Sequence, residues 1–230
     1  MSNDWTSLEE RLGYRFADRD LLSEALTHPS YAYEKGGGRG DNQRLEYLGD
    51  AVLQLVITEH LYRDSKQEDE GRMTKMRADL VCEPTLTLLA RSLGLGDQLK
   101  LGRGESLSGG ADNPSNLSDA MEALIGALYL DGGMERTRER VLALFAPYID
   151  MAFAGRLTYD HKSRLFEWAQ SRPDTRVLFS LLQTQGPEHD RIYRVGLYIR
   201  DRLEAEGQGR TIKAAEQDAA RIFFNKRGEN

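Results

Sequence analysis

The stretch Asn42-Gln43-Arg44-Leu45-Glu46-Tyr47-Leu48-Gly49-Asp50 places two carboxylates, Glu46 and Asp50, four residues apart inside an otherwise apolar helical run. On a helix that spacing stacks both acids on one face, a turn apart. Their neighbours Leu45, Leu48, Val52 and Leu53 are core-type residues. A bare carboxylate in such company is costly unless it is paired, protonated or bound to a metal. Ser118–Gly126 repeats the arrangement, with Asp119 and Glu122 three apart among apolar neighbours. Either pair alone reads as well as a helix-capping or salt-bridged pair. Two helices each carrying two inward-leaning acids are what a hard divalent cation needs. Gly49 and Gly126 sit mid-helix, where glycine costs about 1 kcal/mol against alanine. They predict a close approach of the two backbones that brings the acid pairs together.

The chain has 230 residues, room for one large or two modest domains. No apolar run reaches the roughly 20 residues of a membrane helix, and no secretory signal opens the chain. The single cysteine, Cys82, excludes an internal disulfide or a cysteine-rich zinc site and reads as a small buried apolar side chain. A cytoplasmic location is expected. The net charge of −6 is uneven: residues 161–230 carry +3, from 13 basic and 10 acidic side chains, and the rest carries −9. An acidic first part suits metal binding, and a mildly basic second part suits a polyanion.

The pattern to about residue 154 is all helical. Ser7-Leu8-Glu9-Glu10 has the form of a capping box. Asp18 precedes Leu21, Leu22, Ala25 and Leu26 at helical spacing, and Asp41 or Asn42 can cap a helix running to about Tyr62. Helices follow around Met73–Val81 and Pro84–Leu93. A Gly/Ser-rich loop from Gly102 to Gly110 leads to a helix from Pro114 to Leu130. Asp131-Gly132-Gly133 stops that helix, and a last one covers Glu135–Ala154. Residues 155–160 form a polar linker. Beyond it, residues 161–230 read α-β-β-β-α: a helix over Lys162–Ser171, strands at Val177–Gln183, around Tyr193–Arg200 and at Leu203–Glu206, and a helix over Thr211–Lys226.

These motifs together resemble the ribonuclease III family. Asn42–Asp50 is similar to its signature, usually Asn-Glu-Arg-Leu-Glu-Phe-Leu-Gly-Asp. Leu26–Tyr31, Asp69-Glu70-Gly71 and Ser118–Gly126 also match, in the right order. Residues 161–230 resemble a double-stranded-RNA-binding domain, with Gly186–His189 and Lys213–Glu216 at the expected places. The resemblance implies an all-helical nuclease domain over residues 1–154 and an α-β-β-β-α RNA-binding domain. It implies a cytoplasmic endoribonuclease for double-stranded RNA, acting in RNA processing as a homodimer. It further implies 5′-phosphate and 3′-hydroxyl ends with two-nucleotide 3′ overhangs. Glu46, Asp50, Asp119 and Glu122 would hold magnesium, which manganese can replace, with Asp50 and Glu122 catalytic. Glu70 would be an auxiliary acid and Tyr47 a dimer contact. Glu167, Gln170, His189 and Lys213 would meet RNA.

Each assignment has a plainer counterpart. Glu70 ends a charged run of the kind usually solvated, and His189 serves equally as a turn residue. His28 reads as a hydrogen-bonding residue at a helix end, and Arg210 and Arg221 as surface charge as readily as attraction for RNA. Three positions depart from the family. Gln43 replaces a glutamate and loses its charge, so it stands outside the catalytic set. Phe166 stands where a glutamine often contacts RNA, and Ile212 replaces a phosphate-binding lysine; a lost cation weakens binding and flattens its salt dependence. The rival class is a non-catalytic RNA-binding dimer on a nuclease scaffold, supported by Gln43 and opposed by the intact acids. A phosphohydrolase of small nucleotides leaves residues 161–230 unexplained.

Overall fold

The computed structural model describes residues 5–36, 40–64, 68–157, 159–187 and 191–228. The chain divides into two compact units, Met1–Leu157 and Thr158–Asn230.

The described part of the first unit is helical: α1 (Thr6–Leu12), α2 (Arg19–Ala25), α3 (Pro29–Glu34), α4 (Gln43–Asp64), α5 (Glu70–Leu80), α6 (Glu83–Ser92), α7 (Arg103–Leu107) and α8 (Pro114–Phe153). Helix α4 forms because Leu45, Val52, Leu53, Val56, Ile57 and Leu61 recur at helical spacing, and all six are buried. Burial of each such side chain contributes about 1.5–3 kcal/mol. They pack against α8, whose Leu117, Met121, Leu124, Ile125 and Leu128 are buried. Asp18 caps α2, its carboxylate accepting from the amides of Asp20 and Leu21. Asp41 accepts from the Gln43 amide at 3.1 Å, and the Asn42 carbonyl accepts the Glu46 amide, the bond that opens α4.

Two expectations change. Ser7 makes no capping box: α1 starts at Thr6 behind the buried Trp5, and no side chain caps it. The loop from Gly102 to Gly110 contains α7, a single helical turn. The glycine stop expected at Asp131-Gly132-Gly133 is present as a kink at Gly133, where the two helices that make up α8 meet. The break is confined to Gly133, at φ 74° and ψ 172°, a conformation that favours glycine. Asp131 does more than help end a helix. It accepts from the Tyr14 hydroxyl at 2.7 Å and from the Ala17 and Asp18 amides, tying the N-terminal segment to α8. Burial would raise its pKa, but those hydrogen bonds outweigh burial and hold it below the usual carboxylate range.

The second unit comprises α9 (His161–Gln170), β1 (Val177–Gln185), β2 (Ile192–Ile199), β3 (Arg202–Gly209) and α10 (Ile212–Lys226). The strands form one antiparallel sheet in the order β1-β2-β3, with Val177 opposite Ile199 and Tyr193 opposite Gly209. The β2–β3 turn uses Arg200 and Asp201 at positive φ. Leu197 and Ile199 from the sheet meet Leu165, Ala219, Ala220, Phe223 and Phe224 from the helices in one core. Among the described residues, no helix is long and apolar enough to cross a membrane.

Candidate active site

The site begins with two glycines. A Cβ on Gly49 would lie 1.8 Å from the Glu122 carbonyl oxygen, and one on Gly126 would lie 2.3 Å from that of Leu45. Helices α4 and α8 therefore cross backbone on backbone. Each glycine faces the turn of the other helix that carries its acids. Glu46, Asp119 and Glu122 converge there, with one carboxylate oxygen of each within 4.8 Å of the others.

Three negative charges at that spacing repel strongly, and each is partly buried. Burial, then the charges of Asp119, Asp41 and Asp50, raises the pKa of Glu46. Burial also raises Asp119; Glu83 adds to the rise, while Ser118 and His28 oppose it. The largest effect falls on Glu122, pushed up to about 8 by burial and then by Asp50, Glu46 and Asp119. A carboxyl raised this far by burial and three neighbouring acids sits where a bound cation would be strongly favoured. The donor set is entirely oxygen, which suits magnesium or manganese.

Asp50 stands outside the group of three. Both its oxygens accept from the Gln54 amide nitrogen, at 3.0 and 3.2 Å, one helical turn further along α4. Its charge is nevertheless the foremost acidic influence on Glu122. Glu70, the first residue of α5, is exposed and accepts from Thr74 Oγ1 at 3.0 Å; it does not join the described cluster. Gln43 is exposed at the start of α4. His28 caps α3, its Nδ1 accepting from the Ser30 amide, which fits a hydrogen-bonding role at a helix end. Cys82 is half-buried beside the Asp79 carbonyl, and burial pushes its thiol pKa up, away from reactivity. Gln54 and Glu83 are site neighbours absent from the sequence reading, and Asp41, read there only as a helix cap, is a third. Gln54 has a usable signal, since it lies four residues after Asp50. Glu83 has none, because it arrives on a separate helix.

Tyr47 is 83% exposed on α4, in line with exposed Ala51, Leu55 and Tyr62 at spacings of four, four and seven residues. In the second unit, Glu167 and Gln170 are exposed on α9, and Lys213 is exposed in the first turn of α10. Gln217 ties these helices together: its Oε1 accepts from the Lys162 amide and its Nε2 donates to Asp160. Phe166 packs edge-on against Phe179, 6.3 Å between ring centres. His189 lies outside the described residues.

A helical domain with a half-buried cluster of three carboxylates thus precedes a three-stranded sheet backed by two helices. The family model described as Ribonuclease-III-like matches residues 18–149, and the double-stranded RNA binding motif matches residues 161–227. The chain is 44% identical over 223 residues to Ribonuclease 3 of Caldanaerobacter subterraneus, covering 97% of this chain and 98% of the relative. It is 46% identical over 222 residues to Ribonuclease 3 of Pelotomaculum thermopropionicum, covering 96% and 92% respectively. The solved nuclease domain of ribonuclease III from Campylobacter jejuni aligns with a TM-score of 0.59 at 42% identity, covering 64% of this chain and 96% of that one. The chain belongs to the ribonuclease III family.

Proposed function

We propose that this protein is a homodimeric, magnesium-dependent endoribonuclease that cuts double-stranded RNA by water attack on the phosphodiester. The ends would be 5′-phosphate and 3′-hydroxyl, with two-nucleotide 3′ overhangs, and the setting cytoplasmic RNA processing. The observation that carries the reading is the crossing at Gly49 and Gly126, which gathers carboxylates from two helices tightly enough to hold Glu122 protonated. A bound divalent ion would supply Lewis acidity and lower the pKa of a bound water. Glu46, Asp119 and Glu122 would hold it, with Asp50 as a further ligand, and Glu122 would give up its proton as the ion binds. Asp50 adds negative charge on the Glu122 side. The neutral amide of Gln54 balances none of that charge, so cation binding remains the way to relieve the repulsion.

RNA capture is assigned to the second unit. Shape dominates such recognition, because the deep major groove of A-form RNA hides its bases. Glu167 and Gln170 suit the minor groove. Lys213, in the first turn of α10, suits phosphate. The exposed stripe Tyr47–Ala51–Leu55–Tyr62 supports dimerisation, being apolar and lying on the face of α4 turned away from its core. The test is a labelled duplex of about 30 base pairs, long enough for the roughly 16 spanned by one such domain, incubated with Mg²⁺ or with EDTA. Metal-dependent cutting to short duplexes, lost in Asp50→Asn, is expected. Binding without cutting under every metal condition would make the chain a non-catalytic RNA-binding protein and Gln43→Glu the first reversion to make.

A further inference from the structure

Asp50 and Glu46 leave the same face of α4 one turn apart, yet only Glu46 joins the three-acid group. The backbone cannot explain the difference. At Gly49, next to Asp50, α4 is fixed against the Glu122 carbonyl with no room for even a methyl group. The remaining freedom of Asp50 is its side-chain rotamer, and one contact governs it. Gln54 Nε2 donates to Oδ1 at 3.0 Å and to Oδ2 at 3.2 Å, holding both oxygens from the side away from Glu46. Gln54 is itself half-buried, which limits its own rotamers.

We infer that Gln54 is a positioning residue: its carboxamide aims Asp50 at Glu122 and keeps it from closing onto the three-acid group. This rests on the metal-binding reading of the acid cluster. The amide is suited to the task. It donates to a carboxylate without adding charge, so it orients Asp50 and leaves the attraction for a cation undiminished. A lysine at this position would compete with the metal, and a glutamate would repel Asp50.

The experiment titrates full-length protein with Mn²⁺ and no RNA, reading free Mn²⁺ by electron paramagnetic resonance, for the wild type, Gln54→Leu and Gln54→Ala. Loss of an outer partner of a metal ligand typically lowers metal affinity 10–100-fold. Both variants should weaken Mn²⁺ binding about tenfold. The metal concentration for half-maximal cleavage should rise by the same factor, while the rate at saturating metal stays within about threefold of wild type. Thermal unfolding monitored alongside identifies a variant that has lost its fold, and the other then carries the test. Isotherms identical to wild type in a folded variant would overturn the inference, as would tighter binding, the mark of an amide that competes with the ion. A wild type that binds no Mn²⁺ would instead overturn the metal-binding reading beneath it.

Discussion

Glu122 makes the cost of the site measurable in the free protein. In the unfolded chain its carboxyl titrates near the ordinary value of 4.5; in the fold it titrates at about 8. The folded state therefore holds the proton more tightly, and metal-free stability falls as pH rises from about 4.5 to about 8, levelling above that. Glu46 and Asp119 shift the same way. Glu122→Gln abolishes the titration, and after allowance for solvent screening it should stabilise the metal-free protein by roughly 1–2 kcal/mol at pH 8. The gain should vanish near pH 4, as followed by urea unfolding at several pH values. The same variant should cut cleavage by more than the roughly 10–100-fold typical of outer-shell losses. An acid whose removal steadies the protein while ending its activity is held there by function. In the wild type, filling the site near pH 7 should release a proton, and that release should fade by pH 9; calorimetry in buffers of different ionisation enthalpy reads it directly.

At the scale of elements, the crossing of α4 and α8 makes a sharp demand. Gly49→Ala gains about 1 kcal/mol of helix propensity. Its methyl group, however, must displace a backbone carbonyl 1.8 Å away. The overpacking should cost at least roughly 3 kcal/mol, the upper end for crowded cores, and Mn²⁺ binding should fall with it. Leu55→Glu tests the outer face of the same helix. If two copies meet there, sedimentation should show monomers at concentrations where wild type is dimeric, with the helical circular dichroism unchanged. This crossing was legible in the sequence because glycine is a poor mid-helix residue, and its presence beside both acid pairs asked for a reason. The aim of Asp50 was not legible, because a rotamer leaves no trace in apolar periodicity. Nor was α7, whose single turn is too short for any period to register. The mistaken capping box at Ser7 has a similar cause: buried Trp5, not Ser7, takes the N-cap position, and α1 starts two residues early.

For the whole molecule, the two units divide the charge, −9 in one and +3 in the other when the boundary is taken at residue 161. Binding to RNA should therefore be weak, with a shallow salt dependence set by a few cations. Lys213→Ala should lower duplex affinity about equally for all sequences and flatten the log–log salt slope by about 1, measured by filter binding in EDTA. The α-β-β-β-α order of the second unit was legible because the alternation through Val195, Leu197 and Ile199 marks its central strand. The acid cluster of the first unit rides on the crossing of α4 and α8. Where two helices meet carbonyl against glycine, no side chain can yield and no partial slide is open to them. Amide protons along that seam should exchange with solvent only when the entire unit opens, the slowest class of exchange in the domain. The shape of the acid cluster and the survival of the domain thus become one property.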